Sequence, residues 1–298
     1  MQLIFILLLT CTNLLAMPTH EAIWDTKHKV WLNLRDIKPS PDDIFVFGEE
    51  HAFPENQNEP EIKIQHDNQV RWLNQIKRFG SISVGMEFLA YPHQEVTDGY
   101  LAGEINEADF LKQVGWGTSP FAFYREQILA SRGGGKTWAL NAPRSLTKKV
   151  GGFGPGGLSE QEKSLLPPIW ELGSAPYFER FKEAMGEHVP AEKLENYFWA
   201  HCLWDDTMAW KATTLANAQP LTIIVGNFHS EFGHGLPERL KRYGAKKVTT
   251  VMQIAVKEWN EDEVQRALQP DPKYGHRADF LWLYSLSDDA SLDSHSAR

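Results

Sequence analysis

Cysteine is nearly absent from this 298-residue chain: the two are Cys11 and Cys202. If Cys11 is removed or lipidated, one thiol remains and no intrachain disulfide can form. No basic excess exists either, since 30 Lys and Arg stand against 39 Asp and Glu. A chain of formal charge -9 has no global electrostatic reason to hold nucleic acid. Long apolar runs are missing beyond the N-terminus, which excludes an integral helical membrane protein. There is no internal repeat and no phosphate-binding loop. Gly133-Gly-Gly-Lys-Thr137 fails as one because the required first glycine falls at Ala130 and the segment opens a strand.

What is present points to a large buried core. Hydrophobic residues make up 42% of the chain, including 11 Trp, 16 Phe and 8 Tyr. At about 150 residues per domain this length suits one large domain or two small ones. The apolar run Leu3 to Leu9 has the length of a signal-peptide core, so residues 1–16 are expected to be a signal segment and the protein to be exported. Leu8-Leu9-Thr10-Cys11 is an imperfect lipoprotein box, Leu14-Leu15-Ala16 an imperfect ordinary cleavage site, and a start at Met17 is the alternative.

Six short apolar runs read as strands: Asp43 to Gly48, Ile82 to Met86, Thr137 to Leu140, Leu221 to Val225, Val248 to Val256 and Phe280 to Tyr284. Helical patterns separate them, the clearest being Glu61 to Lys77. Continuous apolar runs alternating with helices indicate an α/β fold with a mostly parallel sheet flanked by helices. Some eighty residues divide the third run from the fourth. Residues 151–217 are therefore expected to form an all-helical insertion on a sheet domain of 17–150 and 218–286. Gly151 to Gly157 reads as a flexible loop, Ser159 with Glu162 as a capping box, and Ala191 to Asn217 as a long helix. The run Arg239 to Lys247 reads as a solvated basic face, and residues 287–298 as a disordered tail.

The informative polar residues follow strands. Glu49, Glu50 and His51 leave the first, Glu87 the second, Asn227 and His229 the fourth. Ligands of open parallel sheets bind outside the carboxyl ends of the strands. Gly48-Glu-Glu-His51 and Gly226-Asn-Phe-His229 repeat one pattern, a glycine three residues before a histidine. Glu49, His51, Glu87 and His229 thus suit general acid/base work, and His51, Glu87 and His229 are candidate ligands of a divalent metal. Asp205 and Asp206 sit on two apolar stripes of the long helix, so at least one of them is buried and needs a partner, which anchors the helix to the sheet domain.

In this order the residues resemble a known family. The matching stretches are Gly48 to His51, His66 with Gln69, Glu87-Phe88, Ala139 to Arg144, Leu165 to Pro168, Trp204-Asp205 with Met208-Ala209, Gly226 to His229, Gly235 to Pro237 and Ala278 to Phe280. Together they resemble the ChaN-like haem-binding lipoproteins, grouped with Tiki proteases and erythromycin esterases in one distant superfamily. The resemblance implies an exported, membrane-associated protein of the cell envelope or periplasm. It also implies haem at a homodimer interface, iron acquisition, and outer-membrane haem uptake components as partners. Two departures stand out: His201 where the family usually has Gln, and the degraded lipoprotein box. Haem iron is commonly held by His or Tyr. The insertion offers Tyr177 and Tyr197, with His188 and His201 as partners and Lys182 or Lys193 for a propionate. The competing expectation is a metal-dependent hydrolase using Glu49, His51, Glu87 and His229.

Overall fold

The computed structural model describes residues 18–215 and 219–286. The signal segment, Cys11 and the Ser/Asp-rich tail of the sequence analysis lie outside the described residues. Eight strands form one sheet: β1 (Glu21–Asp25), β2 (Val30–Leu32), β3 (Asp43–Glu49), β4 (Ser83–Ala90), β5 (Lys136–Asn141), β6 (Leu221–Gly226), β7 (Lys247–Val256) and β8 (Phe280–Ser285). Their order is β2-β1-β8-β7-β3-β6-β4-β5. The six strands β3 to β8 run parallel, with β5 at one edge, and the β1–β2 hairpin joins β8 antiparallel at the other side. The six strands read from the sequence are all present, and the architecture is the expected α/β one. The hairpin is an addition to it.

Helices cover both faces. From the sequence order they are α1 (Pro60–Lys77), α2 (Gln94–Ala102), α3 (Glu107–Val114), α4 (Ala122–Leu129), α5 (Arg144–Phe153), α6 (Glu160–Lys163), α7 (Ala175–Met185), α8 (Ala191–Leu215), α9 (Leu236–Arg242) and α10 (Glu261–Leu268). Strand alternation decides which side each residue serves. Phe45 and Phe47 of β3 pack with Trp72, Leu73 and Ile76 of α1 and with Tyr124 of α4. Ile44 and Val46 of the same strand pack with Met208, Ala209 and Ala212 of α8 and Leu240 of α9. Each such fully buried side chain contributes roughly 1.5–3 kcal/mol.

Local signals set the helix ends. Asn106 and Asn260 cap α3 and α10 by accepting from Asp109 N and Glu263 N. Ser159 and Glu162 form the expected capping box at α6. One local reading was different: Gly151 and Gly152 are not loop but the last turns of α5, which ends at Gly154. The amphipathic face of that helix, Leu146, Thr147 and Val150, is buried against α8 and outweighs the helix cost of two glycines, about 1 kcal/mol each.

Between β5 and β6 the described residues form helices α5–α8 joined by turns and irregular segments. Yet α8 also serves the sheet: its C-terminal half covers β5 and β6, and its N-terminal half packs with α5 and α7. Among the described residues no helix is long and apolar enough to cross a membrane.

Candidate functional site

Strand order places the site. The chain leaves β3 towards β4 on one side and leaves β6 towards β7 on the other, so the crevice lies at the carboxyl ends of β3 and β6. There the loops carrying His51 and His229 meet on the two oxygens of one carboxylate. His51 Nε2 lies 3.7 Å from Glu87 Oε2, and His229 Nε2 lies 3.4 Å from Glu87 Oε1. Glu87 Oε2 also accepts from Gly226 N at 2.7 Å, so the backbone of one motif holds the carboxylate that faces the other.

The outer nitrogen of each imidazole is tied to a second, fully buried carboxylate. His51 Nδ1 donates to Glu49 at 3.0 Å, and His229 Nδ1 donates to Asp205 at 2.7 Å. The other Glu49 oxygen accepts from Gln69 at 2.9 Å and lies 3.6 Å from His66 Nε2. The result is an alternating chain, Glu49–His51–Glu87–His229–Asp205. Glu50 turns outward and is exposed. Gly226 must be glycine: a Cβ there would fall 2.9 Å from His51 Nε2.

The alternation sets the charges. Burial opposes the charged form of both histidines, but Glu87 and Glu49 raise His51 to about 10, and Asp205 and Glu87 raise His229 to about 10. Burial likewise disfavours the carboxylate of Glu87, yet the two imidazoliums hold it well below its ordinary range. At neutral pH the chain is three carboxylates and two imidazoliums. His51 is its opening to solvent, with a side chain 25% exposed beneath the Phe88 ring at 4.7 Å.

Asp205 extends the chain inwards. Its second oxygen accepts from the Tyr177 hydroxyl at 2.8 Å, and Tyr177 oxygen lies 2.6 Å from His201 Nε2. The phenol has one proton and gives it to the carboxylate, so His201 Nε2–H must be the donor to Tyr177. Burial, then the charge of His229, keeps His201 neutral by lowering it to about 3. Next to it, Asp206 pairs with Arg239 and Arg242. Burial pushes Asp206 up to about 6 in spite of both guanidiniums. The basic run is a solvated face at Lys241, Arg242, Lys246 and Lys247, which are exposed, and Arg239 alone departs from it. Arg239 is buried on Asp206, Arg242 also meets Glu171 at 3.1 Å, and Lys246 and Lys247 pair with Asp42 and Asp43.

Metal-ligand geometry differs from the expected trio. Among the described residues the His/Asp/Glu group whose ligand atoms lie within 4.8 Å of one another is His201, Asp205 and His229, without His51 and Glu87. Its two rings are stacked, centroids 4.2 Å apart and 11° from parallel. Lone pairs lie in the ring plane, so near-parallel planes do not direct them at one ion. Two of its ring nitrogens are already committed, His229 Nδ1 to Asp205 and His201 Nε2 to Tyr177.

The haem candidates separate clearly. Tyr177 is wholly buried and its hydroxyl is committed to Asp205 and His201. His188 is exposed on the turn Gly186–His188, and Lys182 and Lys193 are exposed and do not line the cavity between α5, α7 and α8. Tyr197 and His201, one turn apart on α8, both line a cavity of about 870 Å³ between α5, α7 and α8. Its walls are Phe181, Met185, Ala200 and Trp204. Gly151 and Gly152 of α5 leave room in it: a Cβ on Gly152 would meet nothing within 4 Å. The sequence analysis missed its two cations, Arg144 and Lys148, although Arg144 stands in a quoted motif.

Comparison with solved structures gives matches of different strength. The ChaN protein of Campylobacter jejuni, described as binding haem cofacially, superposes with a TM-score of 0.61 at 14% identity, over 89% of this chain and 97% of that one. The type III effector HopBA1 gives 0.42 at 9% identity, covering 81% and 86%. An erythromycin esterase mutant in its open conformation gives 0.39 at 10% identity, covering 79% and 75%. No curated protein matches the sequence. Residues 38–240 match the family described as haem-binding uptake, Tiki superfamily, ChaN, and the chain belongs to that family.

Proposed function

We propose that the protein binds haem in the cavity between α5, α7 and α8 and serves haem or iron acquisition at the cell envelope. The observation that carries this reading is the cavity itself. It combines apolar walls, a free phenol at Tyr197 and two cations at Arg144 and Lys148, the groups a flat apolar ring with acidic edges needs. Its volume of about 870 Å³ is within the range of cofactor sites. Haem bound there would supply its iron as a coordination centre. Tyr197, 43% exposed on the wall, is the ligand the chain offers, and Trp204 and Phe181 exclude water from the ring faces. Family membership supports the same ligand.

Export by residues 1–16, a lipid on Cys11 and delivery to outer-membrane haem uptake components complete the proposal. Homodimerisation belongs to it too, because Phe153, 75% exposed, and Tyr197 stand beside the cavity and gain cover from a second copy. Titration of the purified protein with hemin tests the reading. A saturable Soret band that shifts in Tyr197→Phe is expected, and an unchanged spectrum at micromolar hemin would remove it.

A second reading is favoured by the alternating chain, which resembles acid/base machinery more than packing. In a hydrolase, Glu87 would take a proton from water and the imidazolium of His51 would give one to the leaving group. A divalent metal ion, the cofactor of that reading, would have to draw His51 and His229 closer together than they lie. Loss of an esterase activity in His51→Ala, with hemin binding intact, is the outcome that supports it.

A further inference from the structure

The geometry points to Arg144 and Lys148 as an anion clamp: the cavity selects its ligand by the carboxylates on one edge of a flat ring system, with or without a metal at the centre. This deepens the haem reading and rests on it.

Arg144 opens α5 and Lys148 lies four residues on, so both stand on one face, separated by about 6 Å along the axis. Both line the cavity and both are exposed. In a chain of charge -9, neither makes an ion pair among the described residues. The neighbouring Lys149 shows the contrast, since it is held by Glu162 at 2.7 Å. No carboxylate is among the residues lining the cavity. The α5 N-terminus adds to the positive field, because Pro143 offers it no side-chain cap.

The polar atoms further in do not compete for the anion. His201 is 8% exposed, its Nε2 is spent on Tyr177, and its Nδ1 has no protein partner. A neutral imidazole with an open lone pair repels a carboxylate. The clamp at the mouth and the lone pair deeper in therefore orient an amphipathic ring, acidic edge outward and apolar edge inward between Phe181 and Trp204.

Metal-free protoporphyrin IX and its dimethyl ester, compared by fluorescence in one detergent buffer, test the clamp on the full chain. The acid is expected to bind saturably, and the ester at least about tenfold more weakly, the size of one charge-assisted contact. The double variant Arg144→Gln, Lys148→Gln should lose that discrimination while its melting temperature is unchanged, both residues being exposed. Raising salt should weaken the acid and spare the ester. Equal affinity for acid and ester, or a double variant that still prefers the acid, overturns the clamp. Hemin binding without porphyrin binding overturns it too but leaves the haem reading standing. If neither ligand binds, both fall together.

Discussion

His201 and His229 lie face to face with ring centroids 4.2 Å apart, and they titrate in opposite directions. Asp205 and Glu87 hold His229 charged to about pH 10, while burial and the charge of His229 keep His201 neutral down to about 3. One stacked pair thus carries one positive charge. Replacing His229 by Gln removes the charge but not the burial. The His201 pKa is expected to rise from about 3 and to stay below 6.5, read from its ring proton shifts in an NMR titration. A His201 that titrates unchanged would show that the two rings are not coupled.

The same ion chain makes stability depend on pH in a stated direction. His51 and His229 have folded pKa values near 10, above the ordinary 6.5. Their contribution is complete below 6.5 and is lost as pH rises towards 10, because the unfolded chain releases protons the folded chain keeps. Glu49, Glu87 and Asp205 are lowered, so their contribution is complete above the ordinary 3.8–4.5 and is lost on acidification. His201 acts on the acid side as well, since only the unfolded chain protonates it between 6.5 and 3. Urea unfolding should therefore be hardest near pH 6 to 6.5 and markedly easier at pH 9. A flat profile from 7 to 9 contradicts the charge assignment.

Gly226 touches both halves of the rim through its missing side chain and its N–H. A methyl group in Gly226→Ala would lie 2.9 Å from His51 Nε2 and 3.0 Å from Cε1, too close for either to stay. The ring must swing from Glu87 or the β6 backbone must shift. Overpacking of this kind costs roughly 1–3 kcal/mol. Calorimetry should show the lower melting temperature, and His51 should lose part of its raised pKa. A variant as stable as the parent would mean that the rim yields freely.

Much of this rim was legible because strand ends announce themselves. Buried parallel strands must be apolar throughout, so β3 to β8 stand out, and a glycine before a histidine marks the turn at two of them. The β1–β2 hairpin was not legible. Its strands are only five and three residues long, and it gains order from pairing with β8. The inner partners were harder still. Nothing local says that Asp205 meets His229, and Tyr177 looked available as a ligand until α7 and α8 packed around its ring. Arg144 and Lys148 resemble any helix surface, and only the packing of α5 against α8 turns them into a cavity wall.

Tyr177 and Tyr197 make the sharpest comparison, since both are phenols beside His201 and only one is free. Tyr177→Phe removes the hydroxyl that joins His201 Nε2 to Asp205 at 2.6 and 2.8 Å. It leaves a buried donor without its acceptor and one carboxylate oxygen with Arg239 at 3.8 Å as its remaining charged partner. Such a loss costs about 1–3 kcal/mol. The cavity wall is untouched, because Tyr177 does not line it. Hemin should then bind Tyr177→Phe with the parental Soret spectrum, in a protein that unfolds at lower urea. Tyr197→Phe should do the reverse: its side chain is 43% exposed, so stability holds while the spectrum changes. Opposite results, a spectral loss in Tyr177→Phe and none in Tyr197→Phe, would move the haem from the outer face of α8 to its buried one.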